Sequence, residues 1–176
     1  MLTLIEFSDY QCPDCGRHAR ETFPQIRRDY VDTGRLKYVF RHFPIEAIHP
    51  DAFKAAEAAL YAGEQGKYWE IHGHLFANQT DLGPARLLLH AQAFALDPQL
   101  FRQCLEGAKR AAEVRQDLED GQRAGVRATP TFFLGFTAAQ DSQIRSVRMI
   151  VGAQPYARFK EAIETLLASQ PQDSQK

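Results

Sequence analysis

Cysteine is scarce in this chain of 176 residues, which has three, at positions 12, 15 and 104. So small and odd a number excludes a disulfide scaffold, and the fold must rest on an ordinary apolar core. No apolar stretch approaches the roughly 20 residues needed to span a bilayer, so no membrane-spanning helix is expected. The N-terminus has no basic lead-in followed by a long apolar segment, so no export signal is read in it. No charge of one sign dominates: 21 lysines and arginines stand against 22 aspartates and glutamates, for a formal net charge of −1. The basic residues are scattered among acids, which argues against a nucleic-acid partner. Internal repeats and low-complexity tracts are absent too. Hydrophobic residues make up 44% and aromatics 11%, ordinary for a globular protein. The length suits one domain, or one domain carrying a sizeable insertion.

What the chain does have is a concentrated motif, Cys12-Pro13-Asp14-Cys15, directly after the apolar run Leu2 to Phe7 and before a helix-like segment. A strand that delivers two thiols onto a helix start puts sulfur where unpaired backbone N–H groups and the helix dipole stabilise a thiolate. The thiolate is the species that attacks disulfides, so the pair reads as a redox site. As a staple it would do little, since closing a four-residue loop removes only about 2 kcal/mol of unfolded-chain entropy. Cys12, at the helix start, is the candidate nucleophile and the expected exposed member; Cys15, one turn on, is the buried resolving thiol. Half a zinc site is the competing reading, but Cys104 has no partner at ligand spacing. Pro13 presets φ for the first helical turn without losing a needed donor. Asp14 places negative charge beside Cys12 and is expected to raise its pKa, making a milder redox couple, with Arg17 and His18 available as an offset.

Along the chain, Leu2–Phe7 reads as a buried strand. Gly16 to Val31 reads as a helix kinked or interrupted at Pro24, and Leu36 to Phe40 as a second strand ending before Pro44. From His49 to about Ala124 the pattern is helical. Pro50-Asp51 opens an alanine-rich helix ending near Gly63, followed by helices at Tyr68–Ala77, from Gly83-Pro84 to Ala95, from Asp97-Pro98, and at Ala108–Gln122. Strand signals return at Thr131–Leu134 and Arg148–Val151, and Tyr156–Leu167 closes the chain with an amphipathic helix. The order is βαβ, a block of helices, then ββα, which favours one parallel and one antiparallel pairing in a small mixed sheet. The expected division is 1–46 with 123–170 as one discontinuous domain, 47–122 as an all-helical insertion, and 171–176 as a flexible tail.

That organisation, with Glu-Phe-Ser-Asp-Tyr-Gln-Cys-Pro-Asp-Cys at 6–15 and Gly-Val-Arg-Ala-Thr-Pro-Thr-Phe-Phe at 125–133, resembles the DsbA-like thiol:disulfide oxidoreductases of the thioredoxin superfamily. The similarity extends over nearly the whole chain, including His49-Pro50-Asp51-Ala52 and Gly152-Ala153-Gln154. It implies an α/β fold: a thioredoxin-like mixed sheet flanked by helices, with an inserted helical domain. It implies a cis Pro130 facing the cysteines, with Thr129 offering free backbone to an extended substrate. It also supports Glu6 as a buried carboxyl that moves protons to and from Cys15, the alternative being a solvated acid on an edge strand. Tyr10, Phe43 and Thr131 are candidates to line the substrate groove, with core packing the other fate of the aromatics. Cysteine-containing protein substrates and a redox partner that resets the pair are implied, with no cofactor and no metal. The resemblance favours a periplasmic or envelope location, and the missing export signal a cytoplasmic one.

Two other functions stay open: a glutathione-binding isomerase or transferase of the same fold, disfavoured because such proteins usually carry serine at the helix start, and a non-catalytic peptide-binding chaperone. Cys104 reads as a buried small hydrophobe. His72 and His74, two residues apart, fall on different sides of a helix and make a poor metal pair. His42 reads as surface or core, and Tyr68, Trp69 and Phe76 as packing within the helical block.

Overall fold

The first strand, β1 (Leu2–Ser8), is buried on both faces except at half-exposed Ile5, because Leu2 and Leu4 pack against Ile26, Tyr30 and Phe159, and Phe7 against Phe43 and Val126. In the computed structural model, which describes residues 1–137 and 144–169, the sheet order is β2-β1-β3-β4. β2 (Lys37–His42) runs parallel to β1, while β3 (Thr131–Thr137) pairs with β1, and β4 (Ile144–Val151) with β3, antiparallel. Glu6 stands opposite Phe40 on one side and Phe132 on the other. It is therefore on an interior strand, and the solvated edge position is excluded.

Three of the strands are longer than their apolar runs. β2 continues past Phe40 through Arg41, whose guanidinium pairs with Asp117 and Asp120 and so carries charge where the run had seemed to stop. β3 runs on to Thr137, and β4 starts at Ile144 rather than Arg148, since ladder hydrogen bonds extend a strand beyond the residues that need burial.

The segment after the cysteines stays helical but is not uniform. α1 (Pro13–Arg17) leads into a wider π-helical turn at His18–Thr22, then α2 (Phe23–Ile26), then a second wide turn at Arg27–Val31. The Phe23 N–H bonds back to the His18 carbonyl, five residues earlier. This wide turn just ahead of Pro24 carries the helix past a residue that cannot donate, so the expected break becomes a change of pitch.

Between β2 and β3 come α3 (Ala52–Glu64), α4 (Tyr68–Ala77), α5 (Pro84–Ala93), α6 (Pro98–Glu106) and α7 (Ala111–Arg123). Proline opens α5 and α6 at a position whose N–H needs no partner. Asp97 caps α6 by accepting from the Gln99 and Leu100 amides, both at 2.9 Å. α7 starts three residues later than its alanine content suggests, because Ala108 turns left-handed at φ 48°. α8 (Tyr156–Ala168) closes the described chain; the expected flexible tail, 171–176, lies outside the described residues.

Apolar residues segregate into two large clusters. One joins Tyr10, the two cysteines and Phe40 to the inward faces of α3–α6, while the other packs Leu2, Leu4, Phe132 and Leu134 against Ile26, Tyr30 and α8. A smaller one, Phe7, Phe43 and Val126, lies under Gly121 of α7, whose missing side chain leaves the Phe43 ring only 2.6 Å from where a Cβ would be.

Candidate active site

β1 ends at Ser8, and the next three residues are held by long-range bonds. The buried Asp9 carboxylate accepts from the Gln11 amide at 2.7 Å and, with its other oxygen, from the Ile45 amide at 2.7 Å, with His49 Nδ1 2.8 Å away. Gln11 accepts from the Asp51 amide at 2.7 Å. The Cys12 amide donates to the Asp9 carbonyl at 3.1 Å. Asp9 thus ties the turn before the cysteines to the loop after β2. Cys12 is the N-cap of α1, with extended backbone at φ −68° and ψ 122°.

Cys12 keeps 7% of its surface accessible and Cys15 none. The order of exposure is the one expected, but Cys12 is more covered than an exposed nucleophile, because the 129–130 loop sits over it. Its Sγ lies 3.4 Å from the Thr129 carbonyl. All three cysteines are free thiols. Hydrogen bonding from the Cys15 thiol, and with less weight from Thr129 and the Cys15 and Asp14 amides, holds the Cys12 pKa down at about 6 against burial. Burial and the neighbouring Cys12 push Cys15 well above the ordinary thiol range.

The Asp14 carboxylate has the expected cation, Arg17, beside it at 3.1 Å, both side chains half exposed, and the Asp14 backbone N–H contributes to lowering Cys12. His18 supplies no offsetting charge: it is fully buried, and burial pushes its pKa down to about 3. Its Nε2 instead lies 3.3 Å from the Tyr38 hydroxyl.

Glu6 is 2% exposed, and burial raises its pKa to about 7 against the pull of the Tyr38 hydroxyl, which donates to Oε2. Its charge is one of the influences that push Cys15 up, so carboxyl and resolving thiol sense each other. The Thr129–Pro130 peptide bond is cis. Gly152, left-handed at φ 81°, donates its amide to the Pro130 carbonyl at 2.8 Å, joining the end of β4 to the same loop. Thr131 turns its hydroxyl to the Ala128 carbonyl at 2.6 Å.

Tyr10 does not line a groove. It is 1% exposed, stacks on Phe40 at 5.6 Å and meets His72 Nδ1 at 3.1 Å through its hydroxyl. Its ring sits in the aromatic layer beneath α4, 4.8 Å from Phe76. Phe43 is likewise core, edge-on to Phe7 at 6.3 Å. His42 and His72 belong to the aromatic layer, and burial pushes both to about 3. His74 points elsewhere, to His90 at 2.8 Å. Cys104 is 1% exposed in the core formed by the helical block. Among the described residues no group of three His, Cys, Asp or Glu side chains is placed to hold a metal ion, and no helix is long and apolar enough to cross a membrane.

The sequence reading missed Asp9 and Gln79. Asp9 had a signal in the quoted His49-Pro50-Asp51, whose histidine meets it. Gln79, whose amide reaches the carbonyls of Tyr10 and Cys12 at 2.9 and 2.7 Å, had none.

Comparison with known proteins agrees with this fold. The oxidised BdbD of Bacillus subtilis superposes with a TM-score of 0.82 at 26% identity, over 96% of this chain and 88% of that one. Wolbachia pipientis alpha-DsbA1 gives 0.80 at 26%, over 95% and 86%. In sequence, the chain is 41% identical over 133 residues to a protein named Na(+)/H(+) antiporter NhaA 3 from Salinispora tropica; the match takes in 76% of this chain but 20% of that protein. The family model Thioredoxin_4, described as Thioredoxin, matches residues 1–167. The chain belongs to that thioredoxin family, among the DsbA-like thiol:disulfide oxidoreductases of the thioredoxin superfamily.

Proposed function

We propose that the chain exchanges disulfides with cysteines of protein substrates, Cys12 as nucleophile and Cys15 as resolving thiol. The observation that carries this is the asymmetry of the pair: one thiol poised to ionise near pH 6 under a backbone carbonyl, the other buried and kept protonated. In the oxidising direction a substrate thiolate attacks Cys12 Sγ of the Cys12–Cys15 disulfide. That S–S bond breaks, its electron pair stays on Cys15 Sγ, and Cys15 takes a proton from Glu6. A second substrate thiol, after losing its proton to solvent, attacks the substrate sulfur of the mixed disulfide and expels Cys12 as thiolate. Substrate loses two electrons and the Cys12–Cys15 disulfide gains them, becoming the dithiol; reversing every step reduces a substrate bridge, and the partner's potential sets the direction. Thr129 would present backbone to the substrate strand beside the sulfurs. The transport named for the antiporter relatives is not carried over, since this chain corresponds to a fifth of their length.

Insulin reduction and oxidative refolding of a reduced substrate test the proposal together. Both activities are expected in the wild type and neither in Cys12→Ala; activity kept by the variant would mark a chaperone and sink the redox reading. The same reduction assay run as a pH series tests Glu6. With its pKa raised, the carboxyl is protonated below about pH 7 and can take the Cys15 proton only above it, so the rate should rise through that value. In Glu6→Gln that rise should vanish, with about a hundredfold loss at pH 8; an unchanged profile would remove Glu6 from the mechanism.

A further inference from the structure

The turn after α4 reaches into the redox loop. Gln79 Nε2 donates to the Tyr10 carbonyl at 2.9 Å and to the Cys12 carbonyl at 2.7 Å, spending both of its N–H groups there. Its other end is fixed as well. Arg20, on the first wide helical turn, donates to Gln79 Oε1 at 3.3 Å and to the Phe76 carbonyl at 3.0 Å, so the amide cannot flip without facing a donor with a donor. Asn78, next to it, donates to the His74 carbonyl at 2.8 Å and anchors the turn to α4. Space for the contact exists because residue 16 is glycine, where a Cβ would overlap the Gln79 amide and crowd Arg20. An amide from the helical block, a cation that orients it and, four residues before that cation, a missing side chain therefore serve one approach.

We propose that Gln79 is a positioning residue for Cys12, through which the inserted helices hold the cap geometry of the nucleophile. The inference rests on the redox reading above and adds a control point to it. The Cys12 carbonyl also accepts the first bond of the helix, from the Gly16 amide at 3.1 Å. Holding that carbonyl fixes the peptide that follows, and with it the direction in which the next amides face Cys12 Sγ. Those amides stabilise the thiolate only while the cap is kept. Releasing Gln79 lets the cap fray, and the thiolate loses part of its support. The helical block thereby acts on sulfur chemistry without touching sulfur.

The test compares the reduced wild type with Gln79→Ala, following Cys12 by thiolate absorbance and iodoacetamide alkylation against pH, and the disulfide by equilibration with glutathione. The Cys12 midpoint should rise by about one pH unit, with alkylation about fivefold slower near pH 6. The glutathione equilibrium should shift about tenfold toward the oxidised protein, or about 30 mV. Gln79→Glu, which keeps the reach and the Arg20 contact but turns a carboxylate on both carbonyls, should move both readouts the same way. A lowered melting temperature with an unmoved midpoint and an unmoved equilibrium would mean a merely structural contact, and would overturn the proposal. A wild type whose Cys12 titrates as an ordinary thiol would overturn the redox reading together with it.

Discussion

Protein carrying Cys15→Ser is expected to stop at the mixed disulfide. Mixed with a reducible substrate, it should accumulate a covalent adduct through Cys12 that survives non-reducing electrophoresis, while turnover falls by about a thousandfold or more. Cys12 keeps its own attack, because the Cys15 and Asp14 backbone amides that help hold its pKa down do not depend on the Cys15 sulfur. It loses its strongest single support, the hydrogen bond from the Cys15 thiol, for which a serine hydroxyl is a partial substitute. What it cannot do is leave, since the only sulfur placed to displace the substrate is gone. Cys104 offers no rescue, being buried in the helical block. Prompt release of substrate by this variant would mean that resolution comes from elsewhere, and the two assigned roles would be wrong.

Acid should weaken the oxidised protein steeply. His18, His42 and His72 are 0%, 1% and 4% exposed, and burial lowers each from the ordinary 6.5 to about 3. Between those values the unfolded chain binds three protons that the folded chain refuses, so stability is full above 6.5 and is lost as pH falls. Glu6 works in the opposite sense: with its folded pKa raised to about 7 from 4.5, the native state holds one proton that the unfolded chain has released. From 6.5 to 4.5 the balance is two protons, or about 3 kcal/mol per pH unit and about 5 kcal/mol over the window. Such a loss equals the entire stability of many domains. Denaturant unfolding of the disulfide form at pH 7, 5.5 and 4.5 measures it. A flat series would show that the three rings are hydrated or paired.

The parts legible in the sequence are those written in contiguous residues. Leu2 to Phe7 announces a buried strand, Cys12 to Cys15 a helix-borne thiol pair, and Pro84 and Pro98 the starts of helices. The π-helical turns were not legible, because Pro24 marks an interruption in the sequence without saying that the helix passes it by a wide turn, Phe23 bonding back to His18. Charge was legible as number but not as direction: Asp14 is an acid beside a thiolate in the sequence, and half of an exposed ion pair with Arg17 in the fold. Tyr10, two residues before the nucleophile, reads equally as groove or core in the sequence, and its ring packs in the core against Phe40 and Phe76. Asp9 and Gln79 act through partners 36 to 69 residues away, and no window along the chain joins them.

The void at position 121 puts two general rules in opposition. In the interior of a helix, alanine is favoured over glycine by about 1 kcal/mol, so an engineer scanning α7 would choose Gly121→Ala to strengthen it. The Phe43 and Phe7 rings, 2.6 and 2.9 Å from the new methyl, would have to back away from a packed edge-on pair, at a cost of about 1–3 kcal/mol. Thermal melting of that variant should therefore fall rather than rise, so that contact between layers, not the habit of the backbone, dictates which residue α7 tolerates there.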